Sequence, residues 1–224
     1  MCAAENLPTL MTEHFLVAAA GTALRYDQPF RHWRLRDLLP TWLSHAMAHL
    51  PVPTPATLAT EGRRETNNAT RRFLDAAMQA EFGECATLAG AFQSPNVVRR
   101  WEQLCGVSLA GASLRIEYCQ DMGGFWLEPH TDIGAKRFTL LIYLVDPPEG
   151  ECWGTDLLHP DGTLAERVTG EANSGVLFIP GSDTWHGFGP RPISGVRRTL
   201  IVNYVGPEWR ARHELCFPDS VIET

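Results

Sequence analysis

The sequence predicts an α+β chain in which helices come first and buttress one face of a mainly antiparallel sheet or barrel. Three observations predict it. Up to about residue 110, apolar residues recur at helical spacing. Beyond it, short β-branched, aromatic and apolar runs alternate with Gly, Pro and Asp. The 224 residues, 44% of them hydrophobic, are enough for one domain with a real core, extended or not. The expected organisation is a single domain, with a helical part over 1–110, a strand-rich core over 111–206 and a C-terminal tail over 207–224.

The helices follow in order. Over Trp33–Leu50, apolar residues fall at Leu35, Leu38, Leu39, Trp42, Leu43, Ala46 and Leu50, close to a 3.6-residue period. Pro40 suits the first turn of that helix. A second helix is expected after Asn68 as N-cap, through Phe73, Ala76, Ala77 and Phe82 to Gly83. A third runs Val97–Cys105, set between the turn residues Ser94-Pro95-Asn96 and a stop at Gly106.

Four runs then have strand length and strand chemistry: Leu114–Cys119, Phe138–Val145, Val176–Ile179 and Thr199–Val205. Asp146-Pro147-Pro148-Glu149-Gly150 and His159-Pro160-Asp161-Gly162 read as turns between them.

Composition removes several functions. Nineteen basic against twenty-six acidic side chains give a net charge of −7, the wrong sign for a phosphate-backbone binder. The longest apolar run, Phe15–Leu24, is about half the length a transmembrane helix needs. Glu5 precedes any basic residue, so the start of the chain does not read as a signal peptide. Six scattered cysteines without a CxxC pair point to reduced, mostly buried thiols. The expectation is a cytoplasmic protein that binds neither nucleic acid nor membrane.

The chemistry concentrates in a few side chains. His45 and His49 share a helical face but lack the glutamate of an HExxH site, and read as an ordinary amphipathic helix. His130 and Asp132 differ, because on an extended strand both project from one face. A nitrogen and a carboxylate oxygen suit Fe(II), Mn(II) or Zn(II). His186, after the apolar strand Gly175–Ile179, offers a third ligand. Two histidines and one carboxylate leave coordination positions open, as in non-heme iron oxygenases. Eleven residues on, Arg197 shares a strand face with Thr199, Ile201 and Asn203, where it needs an anionic partner. Its neighbour Arg198 opens the opposite, apolar face, and the faces alone do not choose between them.

Between Leu114 and Tyr204, about two-fifths of the chain, the pieces form an ordered series. Tyr118 precedes Gly123-Gly124-Phe125, then come Pro129-His130-Thr131-Asp132 and Arg137 ahead of Leu141-Ile142-Tyr143-Leu144. Trp153-Gly154-Thr155-Asp156-Leu157, Gly175–Pro180, His186 and Gly195-x-Arg197-x-Thr199 complete it. This series resembles the 2-oxoglutarate- and Fe(II)-dependent oxygenase superfamily, especially its prolyl-hydroxylase-like branch.

The resemblance implies a double-stranded β-helix core, a cupin-like jelly roll, with the N-terminal helices packed on one sheet. It implies that His130, Asp132 and His186 bind Fe(II). Arg197, rather than Arg198, would hold the far carboxylate of 2-oxoglutarate, with Thr199 beside it, Tyr143 donating to the same group and Tyr118 lining the pocket. The implied reaction consumes O2 and 2-oxoglutarate, releases succinate and CO2, and hydroxylates a C–H bond of an amino acid, a peptide side chain or a small metabolite. A cupin-type metalloenzyme without 2-oxoglutarate and a silent jelly-roll binding module are the alternatives. Glu151-Cys152-Trp153-Gly154-Thr155 departs from the usual Gly-Gly-Glu-Thr stretch. The nucleic-acid repair branch carries an arginine where this chain has Asn203. Arg63, Arg64 and Asn67 form a polar loop at an expected helix start, read as solvated.

Overall fold

Strand residues of alternating character build two facing sheets, and the helices cover the outer one. The computed structural model describes residues 7–54, 62, 71–132, 134–145 and 149–223. The larger sheet has seven strands in the order β1-β2-β9-β6-β11-β4-β3, and the smaller has four, β5-β10-β7-β8. In chain order they are β1 (Leu24–Tyr26), β2 (His32–Leu35), β3 (Arg71–Phe73), β4 (Ser113–Asp121), β5 (Leu127–His130), β6 (Lys136–Tyr143), β7 (Asp156–Leu158), β8 (Leu164–Arg167), β9 (Gly175–Phe178), β10 (His186–Phe188) and β11 (Arg197–Val205). Every ladder between these strands is antiparallel. From β4 onward the chain passes repeatedly from one sheet to the other.

The helices are α1 (Leu7–Gly21), α2 (Thr41–Ala48), α3 (Ala76–Glu81), α4 (Gly83–Gln93) and α5 (Pro95–Cys105). In α5, Val97, Val98, Trp101 and Cys105 are buried at helical spacing. Gly106 closes it in the left-handed conformation, φ 71°, which a glycine adopts without a Cβ penalty. Asp75 caps α3 by accepting from the Met78 amide at 2.8 Å. One apolar cluster joins Leu16, Leu43, Phe92 and Trp101 of the helices to Ile116, Leu140, Leu177 and Val202 of the larger sheet. Its strand members alternate with residues that face the smaller sheet, as the two-residue period requires.

The N-terminal part departs from the sequence reading in three places. The segment expected to lead into a helix from Trp33 is partly strand β2, because His32–Leu35 pairs with Gly175–Phe178. Phe73 lies on β3, paired with β4, and the helix begins only at Ala76. A further helix, α4, follows it. Asn68, Arg63, Arg64 and Asn67 lie outside the described residues, as do Asp146, Pro147 and Pro148. The tail is part of the core: Cys216 and Ile222 are buried, and their amides donate to Leu114 and Ala112. Among the described residues, no helix is long and apolar enough to cross a membrane. The five described cysteines form no disulfide, and four of them are buried.

Candidate active site

Two strands of the smaller sheet build one end of the site. β5 and β10 are neighbours, and His130 and His186 are direct cross-strand partners, with ring centroids 4.3 Å apart. Asp132 follows His130 by two residues, and one ligand atom from each of the three lies within 4.8 Å of the others. His130 Nδ1 donates to the Glu128 carbonyl and His186 Nδ1 to the Thr184 carbonyl, each at 2.9 Å. A carbonyl can only accept, so both Nδ1 atoms carry a proton, and Nε2 is the atom each ring can offer to a metal.

Electrostatics acts on His130 and Asp132. Burial, reinforced by His186, pushes the His130 imidazole down to about 4, so it is neutral near pH 7. Burial works to raise the Asp132 carboxyl, but Lys136 and His186 outweigh it and hold the group well below the usual carboxylate range. Lys136 Nζ donates to Asp132 Oδ1 at 2.6 Å, and Thr139 Oγ1 donates to Oδ2 at 2.8 Å. Asn203 Nδ2 donates to Thr139 Oγ1 at 2.9 Å, so the carboxylate is oriented from two shells.

These groups open into a cavity that also holds Arg197, Thr199 and Thr155. Arg197 is 6% exposed; its Nε donates to the Trp153 carbonyl at 2.6 Å, and its Nη1 pairs with Asp121. Its guanidinium lies over the Phe188 ring at 4.5 Å. Thr199, next on the same strand face, has a buried Oγ1 with no hydrogen-bond partner. Arg198 is on the opposite face, and the cavity lining does not include it.

The two tyrosines sit away from the cavity surface. Tyr143 packs behind the wall with Leu141, Leu157 and Phe178; its hydroxyl donates to Thr155 Oγ1 at 2.7 Å and accepts from the Thr155 amide at 3.1 Å. Tyr118 belongs to the cluster between sheet and helices, beside Leu200 across the ladder. The alternation along β4 explains this, since Cys119 and Asp121 face the cavity and Tyr118 must face away. His45 and His49 stack at 4.2 Å on α2, and the one described group of three metal-ligating side chains does not include them.

Lys136, Thr139, Asp121 and Arg71 also line the cavity and escaped the sequence reading, and Thr155, read there only as part of a motif, lines it too. Period two could have found Thr139, which shares its strand face with Leu141 and Tyr143. Nothing local marks Arg71, because β3 is three residues long and is fixed only by pairing with β4.

Comparison with known proteins gives the architecture its context. No family model matches the chain, and no curated protein matches it. Solved structures do. A prolyl-4-hydroxylase from Pseudomonas putida aligns over 86% of this chain and 93% of its own, at 17% identity and a TM-score of 0.57. A Trichoplax adhaerens prolyl hydroxylase, solved with a hypoxia inducible factor oxygen degradation domain peptide, aligns over 88% and 90%, at 14% identity and a TM-score of 0.54. The non-heme alpha ketoglutarate dependent epimerase SnoN from nogalamycin biosynthesis aligns over 95% and 90%, at 17% identity and a TM-score of 0.51. The chain has the fold of the 2-oxoglutarate/Fe(II) oxygenases.

Within that oxygenase fold, the donors suit a ferrous ion. Two imidazoles and one ionised carboxylate form a mixed nitrogen and oxygen set that leaves room for further ligands. The unpartnered Thr199 hydroxyl beside Arg197 suits a carboxylate, which supplies the missing acceptor and the opposite charge.

Proposed function

We propose that the chain is a 2-oxoglutarate- and Fe(II)-dependent dioxygenase that hydroxylates an unactivated C–H bond of an amino acid, peptide or small metabolite. The observation that carries this reading is one cavity holding His130, Asp132 and His186 at one end and Arg197 with the orphaned Thr199 hydroxyl at another. Strands β4–β11, shared between two facing sheets, are read as a double-stranded β-helix, and the chain as one domain around it.

His130, Asp132 and His186 would hold Fe(II), and Arg197 with Thr199 would hold the far carboxylate of 2-oxoglutarate. Bound there, the metal and cosubstrate supply the oxidising chemistry, with succinate and CO2 as co-products. The protein's own part is orientation and exclusion. The Glu128 and Thr184 carbonyls fix the two imidazole tautomers, and Thr139 fixes the Asp132 carboxylate. Lys136 donates to Asp132 and keeps the carboxylate ionised, the form in which it would serve as a metal ligand. Phe125, Leu127, Leu141 and Phe188 give the cavity apolar walls that keep water from a reactive centre. Tyr143 acts through Thr155, as a support of the wall rather than as a cosubstrate ligand.

Purified protein supplied with Fe(II), 2-oxoglutarate and air should release succinate. His130→Ala should bind Fe(II) at least roughly tenfold more weakly and release none. Wild-type protein that binds Fe(II) tightly yet neither binds nor consumes 2-oxoglutarate contradicts the reading.

A further inference from the structure

Gripping the cosubstrate requires one arginine, yet two line the cavity. Arg71 on β3 and Arg197 on β11 flank β4 from either side, paired with Cys119 and Asp121, two residues apart on the cavity face. Arg71 is 8% exposed. Among the described residues only its Nη1 is engaged, donating to Glu117 Oε2 at 2.7 Å and to Cys119 Sγ at 3.1 Å. Its Nε is buried without a partner. The Nε–Nη2 edge is the side-on fork that meets a carboxylate with two parallel hydrogen bonds. Leaving it unmatched in a buried setting costs free energy that a ligand can recover.

Among the described residues, the surrounding charges do not occupy that edge. Glu117, behind the wall, is shared between Arg71 and Arg115, and Arg115 pairs with Glu214 as well. Lys136 is paired with Asp132 and Arg197 with Asp121. Asp121 stands between the two arginines on β4, so one ligand carboxylate bridging both would meet its charge.

We infer that Arg71 anchors a carboxylate of the molecule being oxidised, so that the substrate is a small carboxylic acid rather than an internal stretch of peptide. The inference rests on the oxygenase reading and specifies its substrate class.

The test titrates protein loaded anaerobically with Fe(II) and 2-oxoglutarate, by calorimetry. The probes are free L-amino acids and simple aliphatic and aromatic monocarboxylates, each paired with its primary amide. At least one acid should bind, and its amide should bind roughly tenfold or more weakly. Arg71→Gln should weaken the acid by a similar factor and shift 2-oxoglutarate affinity less than about twofold. Arg71→Lys, which keeps a cation opposite Glu117 but loses the fork, should show the same loss and carries the comparison if Arg71→Gln unfolds. Binding by no carboxylate, equal binding of acid and amide, or equal weakening of 2-oxoglutarate overturns the inference. Failure of the oxygenase reading shows separately, as absence of 2-oxoglutarate binding before any probe is added; the probe titration of the same Fe(II)-supplied protein still decides Arg71.

Discussion

Along β11, Arg198 and Ile201 are half-buried, and the remaining residues that face the helices and those that face the cavity are similarly buried and chemically opposite. Leu200, Val202 and Tyr204 are sealed into the apolar core, while Arg197, Thr199 and Asn203 are 6% exposed or less and polar. Burial alone therefore does not separate core from site on this strand. The difference lies in what satisfies each face: helix side chains on one side, and on the other a set of hydrogen bonds that stays incomplete at Thr199. A face that stabilises needs no ligand. A face left with an unmatched hydroxyl and an arginine is incomplete without one.

That contrast is sharpest at the adjacent arginines, which should give the largest effect. Arg197→Ala should weaken 2-oxoglutarate binding by roughly tenfold to a hundredfold with little change in Fe(II) affinity, whereas Arg198→Ala should change cosubstrate binding less than about twofold. Titration of both ligands into both variants checks this, and equal losses would erase the distinction between the faces. Leu200→Ala, on the helix side, should cost about 2–5 kcal/mol in denaturant unfolding and leave cosubstrate affinity unaltered.

A smaller effect is expected at Asp156, whose carboxylate accepts from Arg167 Nε at 2.7 Å, the Gly189 amide at 2.7 Å and Arg191 Nη1 at 2.6 Å. Burial opposes ionisation there, but Arg167, Gly189 and Arg191 outweigh it and lower the group below its ordinary value of 3.8. A lowered acid contributes its stability fully above that value and loses it as pH falls through the folded-state value. Unfolding midpoints of wild type and Asp156→Asn should therefore differ near neutrality and converge under strong acid. A constant gap would show that the ion pairs contribute nothing to stability. Least of all should follow from Tyr118→Phe. Its hydroxyl, buried without a hydrogen bond on the helix side, should leave cosubstrate affinity unchanged, and a marked loss would place Tyr118 in the pocket after all.

Legibility of the sequence follows the same division. The C-terminal half was readable because its strands are long enough for period two to assign faces: Arg197 and Thr199 fell together, and His130 with Asp132 likewise. The stop of α5 at Gly106 was local chemistry, and the structure shows it. Around the N-terminal strands, the outcome was decided by partners distant in sequence. Trp33 belongs to a four-residue strand held by β9, about 140 positions away, and helical spacing around it was a coincidence of composition. Arg71 sits on a strand too short to leave a pattern. Tyr118 was assigned to the pocket by resemblance, whereas the alternation of its own strand turns it toward the helices.

The central claim is that one cavity binds a ferrous ion at His130, Asp132 and His186 and a 2-oxoglutarate molecule that reaches Arg197. Anomalous diffraction from crystals of the protein soaked anaerobically with Mn(II), as a redox-inert stand-in for Fe(II), and 2-oxoglutarate tests it most directly. The account expects one metal peak ligated by those three side chains and the far carboxylate on Arg197 and Thr199. A metal bound elsewhere, or the cosubstrate's far carboxylate seated away from Arg197, would contradict it.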